Sequence, residues 1–358
     1  MPFRWRRACA WVTVVGLVLL ASCGGGSSSA PPPIATVTST PLPPPPTNTQ
    51  EPAATLDATV EAPQVAAEPK CPDPYPDGAP YEPEEDEPIR LVPTGSPPEL
   101  SRYTARAPLR DRELERIVER ELGDEAEHFA VLVKNRADGK GVAVDANRRF
   151  YAASLFKTWV MVEAVHQREA GLLDWDERYI VSDHYAALGL NAGELELCSE
   201  VSVRVAVERM MRATDNVAAN MLLDRAGAGN INAALRALGL TVSGFFQDDS
   251  LPTTAADMAL LLEAIVRNGA VSEGASQEMV ALLASESIDD RLPALLPAET
   301  VVAHKTGNWS NATHDVGIVF SPQATYVIVV LTDYGYEDGG AARIARLSRA
   351  VYDYYNAR

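Results

Sequence analysis

The sequence predicts an α+β domain: an antiparallel five-stranded sheet flanked by terminal helices, plus an all-α subdomain inserted between the strands. Three observations carry this reading. Apolar residues alternate with period two near 128–145 and again over 300–332. The chain between those regions has helical periodicity instead. Helical segments also open and close the stretch 101–358.

Each element follows from its own pattern. Leu109–Leu122 is an amphipathic helix by spacing. His128–Asn135 and Gly141–Asp145 alternate as paired strands, joined by a turn through Ala137, Asp138 and Gly139. Phe150–Val165 reads F-Y-A-A-S-L-F-K-T-W-V-M-V-E-A-V, a helix apolar nearly all round, which belongs in a core and ends near Gly171. Helical segments follow at Val201–Arg212, Val217–Arg225, Ile231–Leu238 and Ala255–Asn268. Strands return at Thr300–Thr306, Asp315–Ser321 and Thr325–Thr332, and a helix over Gly340–Tyr355 closes the chain. No internal repeat is visible.

The chain before residue 101 divides in two. Arg4, Arg6 and Arg7 precede an apolar run, Ala8–Ala21, with the form of an export signal. It ends L-A-S-C at Cys23. This resembles a bacterial lipobox, which implies lipid attachment at Cys23 and a protein held on the outer face of the cell membrane. Residues 1–23 are then the signal. Residues 24–100 hold 20 of the 26 prolines, and twelve acidic residues against two basic ones. Such a segment is a disordered, extended tether. Residues 101–358 form the folded domain.

Composition narrows the function. A hydrophobic content of 46% suits a real core. A net charge of -18 argues against nucleic acid as a partner, because phosphate binding needs a basic face. The scattered histidines and the absence of a C-x-x-C pair leave no metal-ligand spacing, so no metal and no cofactor are expected. A monomer is expected. Cys71 and Cys198 remain once Cys23 is lipidated and Cys9 removed, and outside the cytoplasm such a pair can form a disulfide.

Three short patterns bear on chemistry. Lys157 follows Ser154 by three residues, so the two are neighbours on a helix. A lysine on an apolar helix loses its proton easily, and a serine beside a neutral amine is an activated nucleophile. Taken alone, the pair also fits a helix cap and an outward-reaching lysine. Thr214-Asp215-Asn216 lies between two helical segments, where such residues also serve as caps. Lys305-Thr306-Gly307 ends a strand. No G-x-S-x-G elbow of a Ser-His-Asp hydrolase is present. His304, beside Lys305, reads as strand packing or an edge residue.

In this order and within one domain, S-x-x-K, T-D-N and K-T-G resemble the motif set of class A β-lactamases and penicillin-binding proteins, with threonine for the first serine of S-D-N. Gly193-Glu194-Leu195, Asn220, Asp257 and Arg291–Pro297 extend the likeness. The resemblance implies that Ser154 is acylated, that Lys157 takes or relays its proton, and that Thr214 passes a proton to the leaving nitrogen. It implies that Asn216 binds the substrate's amide side chain and that Lys305 and Thr306 hold its carboxylate. It further implies that Gly307 lets substrate lie along the strand, and that the backbone N–H groups of Ser154 and Asn308 form the oxyanion hole.

One departure stands out. The family's class A members carry a deacylating glutamate in the loop between the second and third motifs. Here Gly239–Thr254 is short and contains no glutamate. Asp248 and Asp249 stand there as substitutes or as turn residues. Three readings follow: a β-lactamase, a D,D-peptidase-like enzyme acting on peptidoglycan peptides or another amide, and a non-catalytic envelope lipoprotein.

Overall fold

The computed structural model describes Cys71 and residues 107–182, 185, 195–246 and 250–357. The signal, Cys23, nearly all of the tether, Gly193, Glu194, Asp248 and Asp249 lie outside the described residues. No helix among the described residues is long and apolar enough to cross a membrane, and no cluster of acidic, histidine or cysteine side chains among them could hold a metal ion.

The main sheet is six-stranded and mixed. In chain order its strands are β1 (Leu109–Arg110), β2 (Phe129–Asn135) and β3 (Lys140–Val144), then β8 (Val301–Trp309), β9 (Ala312–Phe320) and β10 (Thr325–Thr332). They lie in the order β1-β3-β2-β10-β9-β8. Five of them are antiparallel; β1 adds a short parallel edge on β3, with Leu109 opposite Lys140. This corrects the expected five-stranded sheet. The spacing that joined Leu109 to the following helix is overridden by Asp111, whose carboxylate accepts the N–H groups of Glu113 and Leu114. The helix therefore starts at Arg112, as α1 (Arg112–Leu122), and frees Leu109–Arg110 to pair.

Two short ribbons complete the strands. β4 (Phe150–Tyr151) pairs with β7 (Pro252–Thr253), and β5 (Arg178–Ile180) with β6 (Glu200–Ser202). The other helices among the described residues are α2 (Phe156–Glu169), α3 (Val203–Arg212), α4 (Asn216–Ala226), α5 (Ala228–Leu238), α6 (Ala255–Val266), α7 (Glu273–Leu283) and α8 (Gly340–Asn356). Helix α7 is absent from the sequence reading.

Both faces of the sheet are buried, so its central strands are largely apolar. On β10, Val327, Val329 and Leu331 face one core, and Tyr326, Ile328 and Val330 face the other. The first core is the larger and is organised on α2, where Trp159, Val160, Met161 and Val162 are fully buried. The second lies under α1 and α8. The Cys71 and Cys198 sulfurs lie 2.04 Å apart, at bonding distance.

Candidate active site

Three elements meet at one point: the start of α2, the α3–α4 turn, and β8. The chain enters α2 through β4 and a 3₁₀ turn, Ala153–Leu155, which carries Ser154. The residue before the serine, Ala153, has φ of 47°. A left-handed non-glycine backbone is costly and persists only where its surroundings enforce it. Here β4 is fixed to β7, and Ala152 N–H donates to the Leu251 carbonyl at 2.7 Å.

Lys157 lies one turn into the helix and is fully buried. Its Nζ is 3.0 Å from Ser154 Oγ, 2.9 Å from the Thr214 carbonyl and 2.6 Å from Asn216 Oδ1. Burial, and then repulsion from Lys305, push its pKa down to about 7. The neutral amine has two hydrogens and one lone pair. Two neighbours, a carbonyl and an amide oxygen, only accept, so they take the hydrogens. The lone pair is left for the Ser154 hydroxyl.

The α3–α4 turn divides its labour. Asp215 is the cap: its carboxylate accepts Ala218 N–H at 3.0 Å and Leu195 N–H at 3.3 Å. Thr214, with φ of 57°, serves both lysines. Its carbonyl accepts from Lys157, and its hydroxyl accepts from Lys305 Nζ at 2.6 Å. A β-branched residue in the left-handed region is a true outlier, and the two lysines hold it there.

Lys305 is also fully buried. Its ammonium faces Thr214 Oγ1, the Glu286 carboxylate and, at 3.4 Å, the Thr306 carbonyl. Burial lowers the Lys305 pKa, against the pull of Glu286. Glu286 also accepts Thr306 N–H at 3.3 Å and lies 3.3 Å from Thr214 Oγ1. Sequence reading missed Glu286. It stands in the polar run S-E-S-I-D-D, and only the approach of the α7 end to β8 buries it.

Asn308 is exposed, and its Oδ1 accepts from the buried Arg291 at 2.7 Å. Gly307 packs closely against the serine turn. A Cβ there would lie 3.1 Å from the Ala152 carbonyl and 3.2 Å from Leu155 Cγ. The missing side chain thus lets β8 close on the serine turn. Gly307→Ala should cost about 1–3 kcal/mol, the usual range for overpacking. Thermal unfolding checks this, and slower modification of Ser154 should accompany it. His304 is buried, its Nδ1 2.9 Å from Asp315 Oδ1, a packed pair within the sheet.

The glutamate-free loop is tightly tied. Asp257 accepts the N–H groups of Thr241, Val242 and Ser243 at 2.7–3.1 Å. Phe245 lays its ring against Phe156 and Trp159, with centroids 5.8 and 5.7 Å apart. The described part of this loop thus presents an aromatic wall beside the first turn of α2.

Residues 111–355 match the model of the beta-lactamase enzyme family. The chain belongs to that family. Its fold is that of the β-lactamase/penicillin-binding-protein-like serine hydrolases. Among curated proteins, it is 25% identical over 252 residues to the extended-spectrum beta-lactamase PER-1 of Pseudomonas aeruginosa, covering 64% of this chain and 80% of that protein. It is 28% identical over 183 residues to a beta-lactamase of Bacteroides uniformis, covering 43% and 60%. Among solved structures, PBP-A superposes with a TM-score of 0.65 at 22% identity, over 71% of this chain and 100% of that one. An ancestral class A beta-lactamase gives 0.61 at 25%, over 68% and 98%.

Proposed function

We propose that this family member is an acyl-transfer hydrolase that opens β-lactams or related amides through an ester on Ser154, and that this ester clears slowly. The observation that carries the reading is the neutral-amine geometry at Lys157. The Ser154 hydroxyl donates to the Lys157 lone pair, and its oxygen attacks the carbonyl. The backbone N–H groups of Ser154 and Asn308 receive the oxyanion. Thr214 passes a proton to the leaving nitrogen, Lys305 and Thr306 hold the substrate's carboxylate, and Asn216 meets its amide side chain.

Slow clearance rests on the loop. No glutamate exists between Gly239 and Thr254, and Phe245 packs against the first turn of α2. A point mutant of PBP-A has been solved as an acyl-enzyme complex with penicillin G, and the fold shared with PBP-A supports an acyl-enzyme here. The lipobox-like run ending at Cys23 and the proline-rich segment support a location at the outer face of the cell membrane, where peptidoglycan amides are the substrate class at hand.

The test is intact-protein mass spectrometry of the protein mixed with a penicillin and followed over time. The expected result is an adduct that forms within minutes and persists for hours. An adduct that clears at once, with steady turnover of penicillin, would overturn slow deacylation. No adduct at all would overturn the β-lactam reading.

A further inference from the structure

We propose that Glu286 is a positioning residue of this site: its carboxylate holds the Lys305 ammonium on the Thr214 hydroxyl. The inference rests on the acyl-transfer reading above and adds a residue to it.

Three contacts define the arrangement. The Glu286 carboxylate is fully buried, and one of its oxygens takes both the Lys305 ammonium and the Thr306 N–H. The other oxygen lies 3.3 Å from Thr214 Oγ1. Lys305 in turn donates to that same Oγ1 at 2.6 Å. Thr214 is thus held between an ammonium and a carboxylate that are paired with each other. Its hydroxyl proton turns toward Glu286, and its lone pairs toward Lys305.

The placement is fixed from outside the site. Ser287, the next residue, donates from both N–H and Oγ to the Arg212 carbonyl, at 3.0 and 2.9 Å. Arg212 ends α3, two residues before Thr214. The segment that bears Glu286 and the turn that bears Thr214 therefore move as one piece. A buried ammonium without a counter-charge gives up its proton. Glu286 is what keeps the Lys305 cation in place on Thr214.

Other charges face this pair. Asp315 on β9 pulls the Lys305 proton on, while Arg291 repels it. Lys157 on α2 repels it as well, and His304 on β8 interacts with both Glu286 and Lys305. Glu286 is the one carboxylate among them in contact with Lys305 Nζ. Removing its charge makes Lys305 lose its proton at lower pH.

The experiment compares the wild-type protein with E286Q and E286D. Acylation of Ser154 by penicillin is timed across pH by intact mass. In parallel, the protein labelled at the lysine ε-carbon is titrated by NMR without substrate. E286Q should acylate about 10²-fold more slowly at neutral pH, the cost of a group misplaced by roughly 1 Å. Its rate should also fall off on the alkaline side at lower pH than wild type does, with the Lys305 midpoint moved the same way. E286D keeps the charge, so its alkaline limb should return most of the way toward wild type.

A rate within twofold of wild type overturns the proposal. So does a slower E286Q with an unmoved Lys305 midpoint, which marks a structural role only. Should E286Q fail to fold, E286D decides by a smaller shift in the same direction. If penicillin never acylates the wild type, the acyl-transfer reading fails separately, and the substrate-free titration still judges the role of Glu286.

Discussion

Ser154→Ala is expected to abolish the penicillin adduct and to lower any hydrolysis by at least roughly 10⁴-fold, the scale seen when a nucleophile is removed. The reason is local. Ser154 Oγ is the hydroxyl that Lys157 Nζ meets at 3.0 Å, on a turn held open by the left-handed Ala153. Thr214, the nearby alternative hydroxyl, is engaged by Lys305 and Glu286. The substitution removes one half-buried oxygen and no core contact, so the thermal midpoint should move little. Mass spectrometry reads the adduct, and calorimetry reads the fold. Persistence of the adduct in the alanine protein would place the nucleophile elsewhere.

Lys157→Met should slow acylation by about 10²–10⁴-fold, the usual worth of a general base, and should erase the pH dependence that base creates. In the wild type, the acylation rate should rise about tenfold per pH unit on the acid side and level off above about 7, where Lys157 becomes neutral. The same shift sets a stability trend. The Lys157 pKa falls from its ordinary 10.5 to about 7 on folding. Between those values the unfolded chain holds a proton that the folded one lacks, so wild-type stability grows with pH across that window. Below about 7 both states are protonated, and the cost of the buried ammonium is present in full. Lys157→Met lacks this term. Its stability relative to wild type should be greatest near pH 6 and should shrink as pH rises toward 10. Denaturant unfolding at several pH values measures the slope, and parallel curves for the two proteins would refute the assignment.

Much of this site was legible in the sequence because its chemistry is written in short local patterns. A serine and a lysine three apart on an apolar helix, followed in order by T-D-N and K-T-G, already point to an amine beside a hydroxyl. The period-two runs over 300–332 already imply sheet strands, whereas burial on both faces came from the helices packed on either side. The chain by itself thus determined the fold class, the family and the lysine–serine pair.

The tertiary structure decided what depends on approach. Asp111 capped α1 and released Leu109–Arg110 to the sheet edge, because a cap bond outweighs the spacing of apolar residues. Gly307 lacks a side chain for the sake of the Ala152 carbonyl, which lies some 150 positions away in the chain. Thr214 took up a strained backbone that no sequence pattern announces. Glu286 carries no local signal in its polar run, and only the packing of α7 against β8 buries it on Lys305. Charge pairing inside a protein is set by which segments pack together, and that information is spread over the whole chain.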